Sequence, residues 1–173
     1  MSKHPSIPRG DHQSYMRYAL SLGKLAPRKP TNFRVGAVLV DETTGDILST
    51  GYTMELPGNT HAEQCCLTKY QTALATTAGS PQPSVEQRLV LYTTMEPCNR
   101  RASGNVPCTE TILLFGSPDG GRVKKVYVGL QEPETFVGAN EGRRKLDEGD
   151  VRYEHVEGLE KEVLEVATAG HEP

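Results

Sequence analysis

The chain has 173 residues, enough for one domain to bury a core without disulfide or metal staples. Its formal net charge of −3 argues against a protein built mainly to neutralise a phosphate backbone. No apolar run approaches the length of a membrane span, and "MSKHPSIPRG" lacks the apolar centre of a secretory signal. Residues 1–10 read as a flexible, proline-containing arm ahead of a single domain over residues 11–173. In "DHQSYMRYALSLGKLA", Tyr15, Tyr18, Ala19, Leu22 and Leu25 recur at three- and four-residue steps. That spacing predicts an amphipathic helix with Asp11 as its cap. "APRKPTNF" breaks it, and "FRVGAVLVD" is a near-continuous apolar, β-branched run, the pattern of a strand buried on both faces. "ETTGD" is a turn and "ILSTGY" its hairpin partner. A second helix is predicted over 60–77, with Ala62, Cys66, Tyr70 and Ala73 on one side. "GSPQPS" is a loop, after which "RLVLYTTM" reads as a strand ending in "EPC". A third helix is expected over 108–115, a fourth strand at "VKKVYVGL" and a short helix at "EGRRKLDEG". An edge strand at "VRYEHV" and a closing helix at "LEKEVLEVATA" complete the chain, and "QEPETFVGAN" is its densest later loop. Strands alternating with helices predict a layered α/β fold.

The four cysteines, at 65, 66, 98 and 108, are too few and too unevenly spaced for a disulfide framework. Reduced thiols in a cytoplasmic protein are the expectation, and nothing in the sequence excludes the nucleus. Three pieces carry chemistry: "HAE" at 61–63, "EPC" at 96–98 and Cys108 after Pro107. The two outer pieces stand where a helix starts, the place where backbone N–H groups and the helix dipole favour thiolates and oxyanions. His61, Cys98 and Cys108 form a borderline-soft donor set suited to Zn²⁺. Three protein ligands leave a fourth position for water, the arrangement of a catalytic zinc site. A carboxylate must then move protons, and Glu63 is placed to do so.

This H-x-E…P-C…C set resembles the zinc-dependent deaminases that act on cytosine- or adenine-like rings. Nine residues separate the two cysteines in "CNRRASGNVPC", where the common signature has two. With that long spacing, "HAEQCCLTKY", "TTMEPCNRRASGNVPC" and "TNFRVGAVLV" are similar to the riboflavin-pathway pyrimidine deaminases of the fungal branch. The likeness spans roughly residues 11–168. It implies a three-layer α/β/α fold with a mixed sheet of about five strands. It also implies hydrolytic deamination of 2,5-diamino-6-ribitylamino-4(3H)-pyrimidinone 5′-phosphate at C2, by zinc-activated water with Glu63 as proton shuttle. Asn32 matches the family's asparagine ahead of the first strand and is expected to hydrogen-bond the base or ribityl chain. Arg100, Ser103 and Asn105 on the inter-cysteine loop are candidates for ribityl and phosphate contacts, with Asn140 a further one on the later loop. Members commonly form homodimers, and neither nucleic acid nor membrane is an expected partner. The chain has no room for the second domain that accompanies some relatives, so it is either a stand-alone deaminase or a fragment.

Competing readings of the same residues remain open. "THAE" is also a capping box, with Thr60 as N-cap and Glu63 reaching back to it. His61 and Cys65 are four apart on one helix face, so Cys65 could join Cys98 and Cys108 in a closed structural Cys3His site, the mark of a non-enzymatic interaction domain. Otherwise Cys65 and Cys66 are small core residues. A nucleic-acid-editing deaminase shares the chemistry but needs a basic channel and stacking aromatics, against a negative charge and 6% aromatic content here.

Overall fold

The computed structural model describes residues 3–76, 87–101, 103–115, 122–131 and 139–171, the side chains of Ala139 and Asn140 excepted. In chain order the elements are α1 (His12–Gly23), β1 (Gly36–Asp41), β2 (Ile47–Tyr52), α2 (Ala62–Thr76), β3 (Leu89–Met95), α3 (Cys108–Leu114), β4 (Val123–Leu130), α4 (Ala139–Glu148), β5 (Arg152–His155) and α5 (Glu160–Ala167). The five strands form one mixed sheet in the order β2-β1-β3-β4-β5. β1 is antiparallel to both β2 and β3, whereas β3, β4 and β5 run parallel. The expected loop at "GSPQPS" and most of "QEPETFVGAN" lie outside the described residues.

Strand alternation sorts the core into two layers. Ala37, Leu39, Leu89, Leu91, Val126 and Val128 point to one face, where Leu67 and Tyr70 of α2, Ile112 of α3 and Leu146 of α4 cover them. Val38, Val40, Val90, Tyr92 and Tyr127 point to the other, beneath Tyr15, Met16 and Ala19 of α1 and Val163 of α5. β1 is buried along its whole length, as its unbroken apolar run requires, while β5 at the edge alternates exposed and half-buried residues. The result is the expected three-layer α/β/α arrangement. No helix among the described residues is long and apolar enough to cross a membrane.

Asp11 caps α1 as the sequence predicts, accepting from the Ser14 N–H at 3.1 Å and its hydroxyl at 2.7 Å. Within the N-terminal arm, residues 4, 7 and 9 make contacts with the domain. Arg9 donates to the Thr43 carbonyl (2.9 Å), the Tyr15 hydroxyl lies within reach of the Ile7 carbonyl (3.2 Å), and His4 Nδ1 sits 3.1 Å from the Tyr18 hydroxyl. Ile7 packs on the α1 layer, and that apolar contact was invisible in a proline-containing stretch.

Candidate active site

The start of α2 is fixed by a close approach to the sheet. A Cβ on Gly51 of β2 would fall 2.3 Å from the Ala62 carbonyl oxygen and 2.6 Å from the Cys66 nitrogen, so only glycine lets the helix settle there. The Cys65 N–H donates to the His61 carbonyl (3.0 Å), which makes His61 the residue that opens the helix. The predicted cap at Thr60 does not form, because its hydroxyl donates to the Leu56 carbonyl at 2.8 Å in the preceding turn. In that turn Met54 adopts φ 63°, a costly backbone for a bulky residue, and its N–H donates to the Thr60 carbonyl at 2.8 Å. Glu63 consequently turns inward rather than back along the helix.

Glu63 is only 4% exposed. Its Oε1 accepts from the Thr93 hydroxyl of β3 at 2.9 Å, and its Oε2 lies 3.4 Å from the Cys108 sulfur. Burial raises its pKa above the usual carboxylate value, and the neighbouring Cys98 thiolate adds to that rise. A carboxyl whose burial favours its protonated form is suited to hold and hand on a proton.

The "EPC" turn leaves β3 with the Glu96 N–H bonded to the Leu130 carbonyl (3.0 Å), and the Thr109 N–H and hydroxyl both donate to the Cys98 carbonyl. Cys108 is the first residue of α3, directly after Pro107. Its N–H donates to the Cys98 sulfur at 3.3 Å. His61 Nδ1 lies 3.2 Å from Cys108 Sγ and 3.6 Å from Cys98 Sγ, and all three donor atoms fall within 4.8 Å of one another. Tetrahedral zinc with ordinary Zn–N and Zn–S lengths separates such donors by about 3.5–3.8 Å, so the set fits the ion. A hydrogen bond from Cys108, followed by one with His61, draws the Cys98 thiol down to about 4. Donation to Cys98 together with burial holds Cys108 well above the usual thiol range. Cys65 is fully buried and lies outside this group, so among the described residues no closed Cys3His site is built. Burial pushes the Cys66 thiol up to about 12, in keeping with a packing role.

His61 and Cys98 open onto a cleft of about 260 Å³, with Cys108 buried behind them. Asn32, Phe33, Asn59 and Glu96 line it together with His61, Glu63 and Cys98. Asn32 donates through Nδ2 to Asn59 Oδ1 (3.1 Å), and its carbonyl faces His171 Nε2 at 3.0 Å. Of the residues proposed for substrate contact whose side chains are described, only Asn32 stands on this wall. Arg100 points to Glu141 on α4 (3.5 Å) with its side chain 74% exposed, and Ser103 and Asn105 are exposed on the loop, linked by one long hydrogen bond. None of these three lines the cleft. The Asn140 side chain lies outside the described residues. Sequence reasoning missed Asn59, although it stands two residues before His61. It also missed Thr93, the pair of half-buried Arg143 and buried Glu96 (2.5 Å), and Arg101, which clips the loop to the Asn59 carbonyl at 2.5 Å.

The family model for the cytidine and deoxycytidylate deaminase zinc-binding region matches residues 9–129. Over 163 residues the chain is 35% identical to a diaminohydroxyphosphoribosylamino-pyrimidine deaminase of Schizosaccharomyces pombe. That match covers 94% of this chain and 36% of the yeast protein, so the chain spans about a third of this relative's length. The crystal structure of Aspergillus oryzae Rib2 deaminase, a C-terminal deletion mutant, aligns with TM-score 0.81 and 45% identity, covering 93% of this chain and 92% of that one. The same mutant in complex with DARIPP aligns at TM-score 0.80 and 44% identity with the same coverage. A guanine deaminase from Nitrosomonas europaea shares the fold at TM-score 0.62 and 15% identity, over 95% of this chain and 86% of its own. A zinc-fitting His-Cys-Cys triad beside a buried glutamate, on this fold and with these matches, means that the chain belongs to the zinc-dependent cytidine and deoxycytidylate deaminase family, alongside the Rib2 deaminases.

Proposed function

We propose that the chain catalyses hydrolytic deamination of 2,5-diamino-6-ribitylamino-4(3H)-pyrimidinone 5′-phosphate, releasing ammonia and the pyrimidinedione in riboflavin biosynthesis. The observation that carries this reading is the buried Glu63 carboxyl beside His61, Cys98 and Cys108 at the floor of an open cleft. Likeness to a deaminase crystallised with DARIPP supports the choice of substrate.

His61, Cys98 and Cys108 would hold the zinc ion, which when bound supplies a Lewis acid and an activated water. Glu63 accepts one proton from that water and delivers it to the ring nitrogen beside C2. It then passes the water's second proton to the departing amine. The oxygen stays on C2, ammonia leaves, and the carboxylate is restored. Asn32, steadied by Asn59, orients the base or ribityl chain at the cleft wall. Arg100, Ser103, Asn105 and Asn140 are the proposed contacts for the ribityl and phosphate groups, which would extend outward from the mouth.

We further propose that residues 11–173 act as a single deaminase domain. A homodimer is the expected form, as the family resemblance implies, and analytical ultracentrifugation tests it. The cytoplasm is the expected compartment, and cell fractionation tests it. Ammonia release should be measured from the ribityl phosphate, its ribosyl counterpart, cytidine and an adenosine-containing tRNA. Turnover confined to the ribityl phosphate is expected. Preference for the ribosyl form would move the step earlier in the pathway, and turnover of cytidine or tRNA alone would overturn the assignment. Zinc binding with no deamination of any substrate would favour an interaction domain.

A further inference from the structure

Along β3, Leu89 and Leu91 face the apolar layer beneath α2, and Thr93 is the next residue of that row. Thr93 is fully buried, opposite the small Ala37 of β1. A hydroxyl in such a row carries a desolvation cost that valine, close to its isostere, would avoid. The hydroxyl is used: it donates to Glu63 Oε1 at 2.9 Å, with the Met95 carbonyl at 3.0 Å as its alternative acceptor. The other carboxyl oxygen, Oε2, faces the Cys108 sulfur at 3.4 Å. The two oxygens of Glu63 are therefore unequal. One is tied to the sheet, and the other points toward the His61, Cys98 and Cys108 donors.

We propose that Thr93 is a positioning residue for Glu63: it pins Oε1 and so leaves Oε2 as the oxygen that exchanges protons with water and substrate. This rests on the reading of Glu63 as the proton shuttle and adds which of its oxygens works. A glutamate side chain has three rotatable bonds, and a proton carrier acts only within hydrogen-bond reach of its partner. Without Thr93 the carboxylate is free to turn Oε2 away.

The test compares zinc-loaded Thr93→Val and Thr93→Ser with wild type and with Glu63→Gln. Thr93→Val should fold, keep its zinc, hold KM within about twofold and lose kcat by roughly 10- to 100-fold, the range for one hydrogen bond to a charged group. Thr93→Ser should recover to within about threefold of wild type, because the donor is restored. A crystal structure of zinc-loaded Thr93→Val should show the Glu63 carboxylate turned from its wild-type position. An unchanged kcat, an unmoved carboxylate or loss of zinc in Thr93→Val would each overturn the proposal. If wild type fails to deaminate the ribityl phosphate, the substrate assignment falls, while the carboxylate position in Thr93→Val still decides the role of Thr93.

Discussion

Replacing Gly51 by alanine adds one methyl group on β2, directly under the turn of α2 that carries His61 and Glu63. The new Cβ would sit 2.3 Å from the Ala62 oxygen, 2.6 Å from the Cys66 nitrogen and 3.0 Å from the Cys66 Cβ. Two of these are backbone atoms, so no side chain can swing aside. Since real Cβ contacts essentially never fall under 3.0 Å, α2 must lift by at least about 0.7 Å, the difference between 3.0 and 2.3. Overpacking of this kind costs about 1–3 kcal/mol. Alanine's smaller unfolded-state entropy offsets about 0.4–1 kcal/mol of it. The net loss of about 1–2 kcal/mol corresponds to a fall in Tm of roughly 2–8 °C for a chain of this size. Function should suffer more than stability. Lifting α2 moves His61 and Glu63 away from Cys98 and Cys108, which are anchored to β3 and α3. A misplacement near 1 Å costs about 100-fold in rate, so kcat/KM should fall by roughly 30- to 100-fold. Thermal unfolding and ammonia release on the zinc-loaded protein measure both. A Gly51→Ala protein with wild-type Tm and kcat/KM would refute the argument that this contact sets the site.

Glu63→Gln should fold, retain zinc and lose at least about 1,000-fold in kcat, because an amide cannot carry the proton; an active, zinc-loaded variant would return Glu63 to a structural role. In the chelator-treated protein the buried Glu63 carboxyl has a folded pKa raised above its ordinary 4.5, so the stability of its neutral form is complete below that value and is lost as pH rises through the folded pKa. Urea titrations across pH should therefore show Glu63→Gln gaining on wild type as pH increases, and a constant gap would contradict it. Brief alkylation of the metal-free protein at pH 7 should label Cys98, lowered to about 4 and partly exposed, before the buried Cys66 at about 12, as peptide mass spectrometry can read. Zinc should protect Cys98, and equal labelling of Cys66 would count against the burial argument. Arg143→Ala removes the guanidinium that pairs with the Glu96 carboxylate, whose side chain is 5% exposed, and that stacks 5.2 Å from the Tyr153 ring centroid. A loss of about 2–4 kcal/mol in urea unfolding is expected, slightly discounted because Arg143 keeps 22% exposure, and a loss under about 1 kcal/mol would mean the pair is solvated.

The strands were legible because their residues report burial directly. "VKKVYVGL" coincides with β4, and the unbroken apolar run of β1 announced a strand covered on both faces. Helix bodies were equally clear, and helix ends less so. Thr60 carries the right capping pattern, yet the Leu56 carbonyl in the preceding turn captures its hydroxyl, and a distant Thr93 captures the glutamate meant to complete the box. The loop residues fared worst. Nothing local in "CNRRASGNVPC" says that Arg100 leans outward to Glu141 while Arg101 turns back to Asn59.

Sequence alone therefore determined the order of elements, the layered class and the candidate donors, since apolar periodicity and the zinc-matching chemistry of His and Cys are properties of the residues themselves. Only the tertiary structure decided which cysteines lie near His61, that Cys65 stays in the core, and that Glu63 turns inward with unequal oxygens. Those outcomes depend on contacts between segments 30 to 47 residues apart, and on a glycine that lets a helix touch a strand. No pattern within one segment encodes such distances, because they are set by how the layers pack.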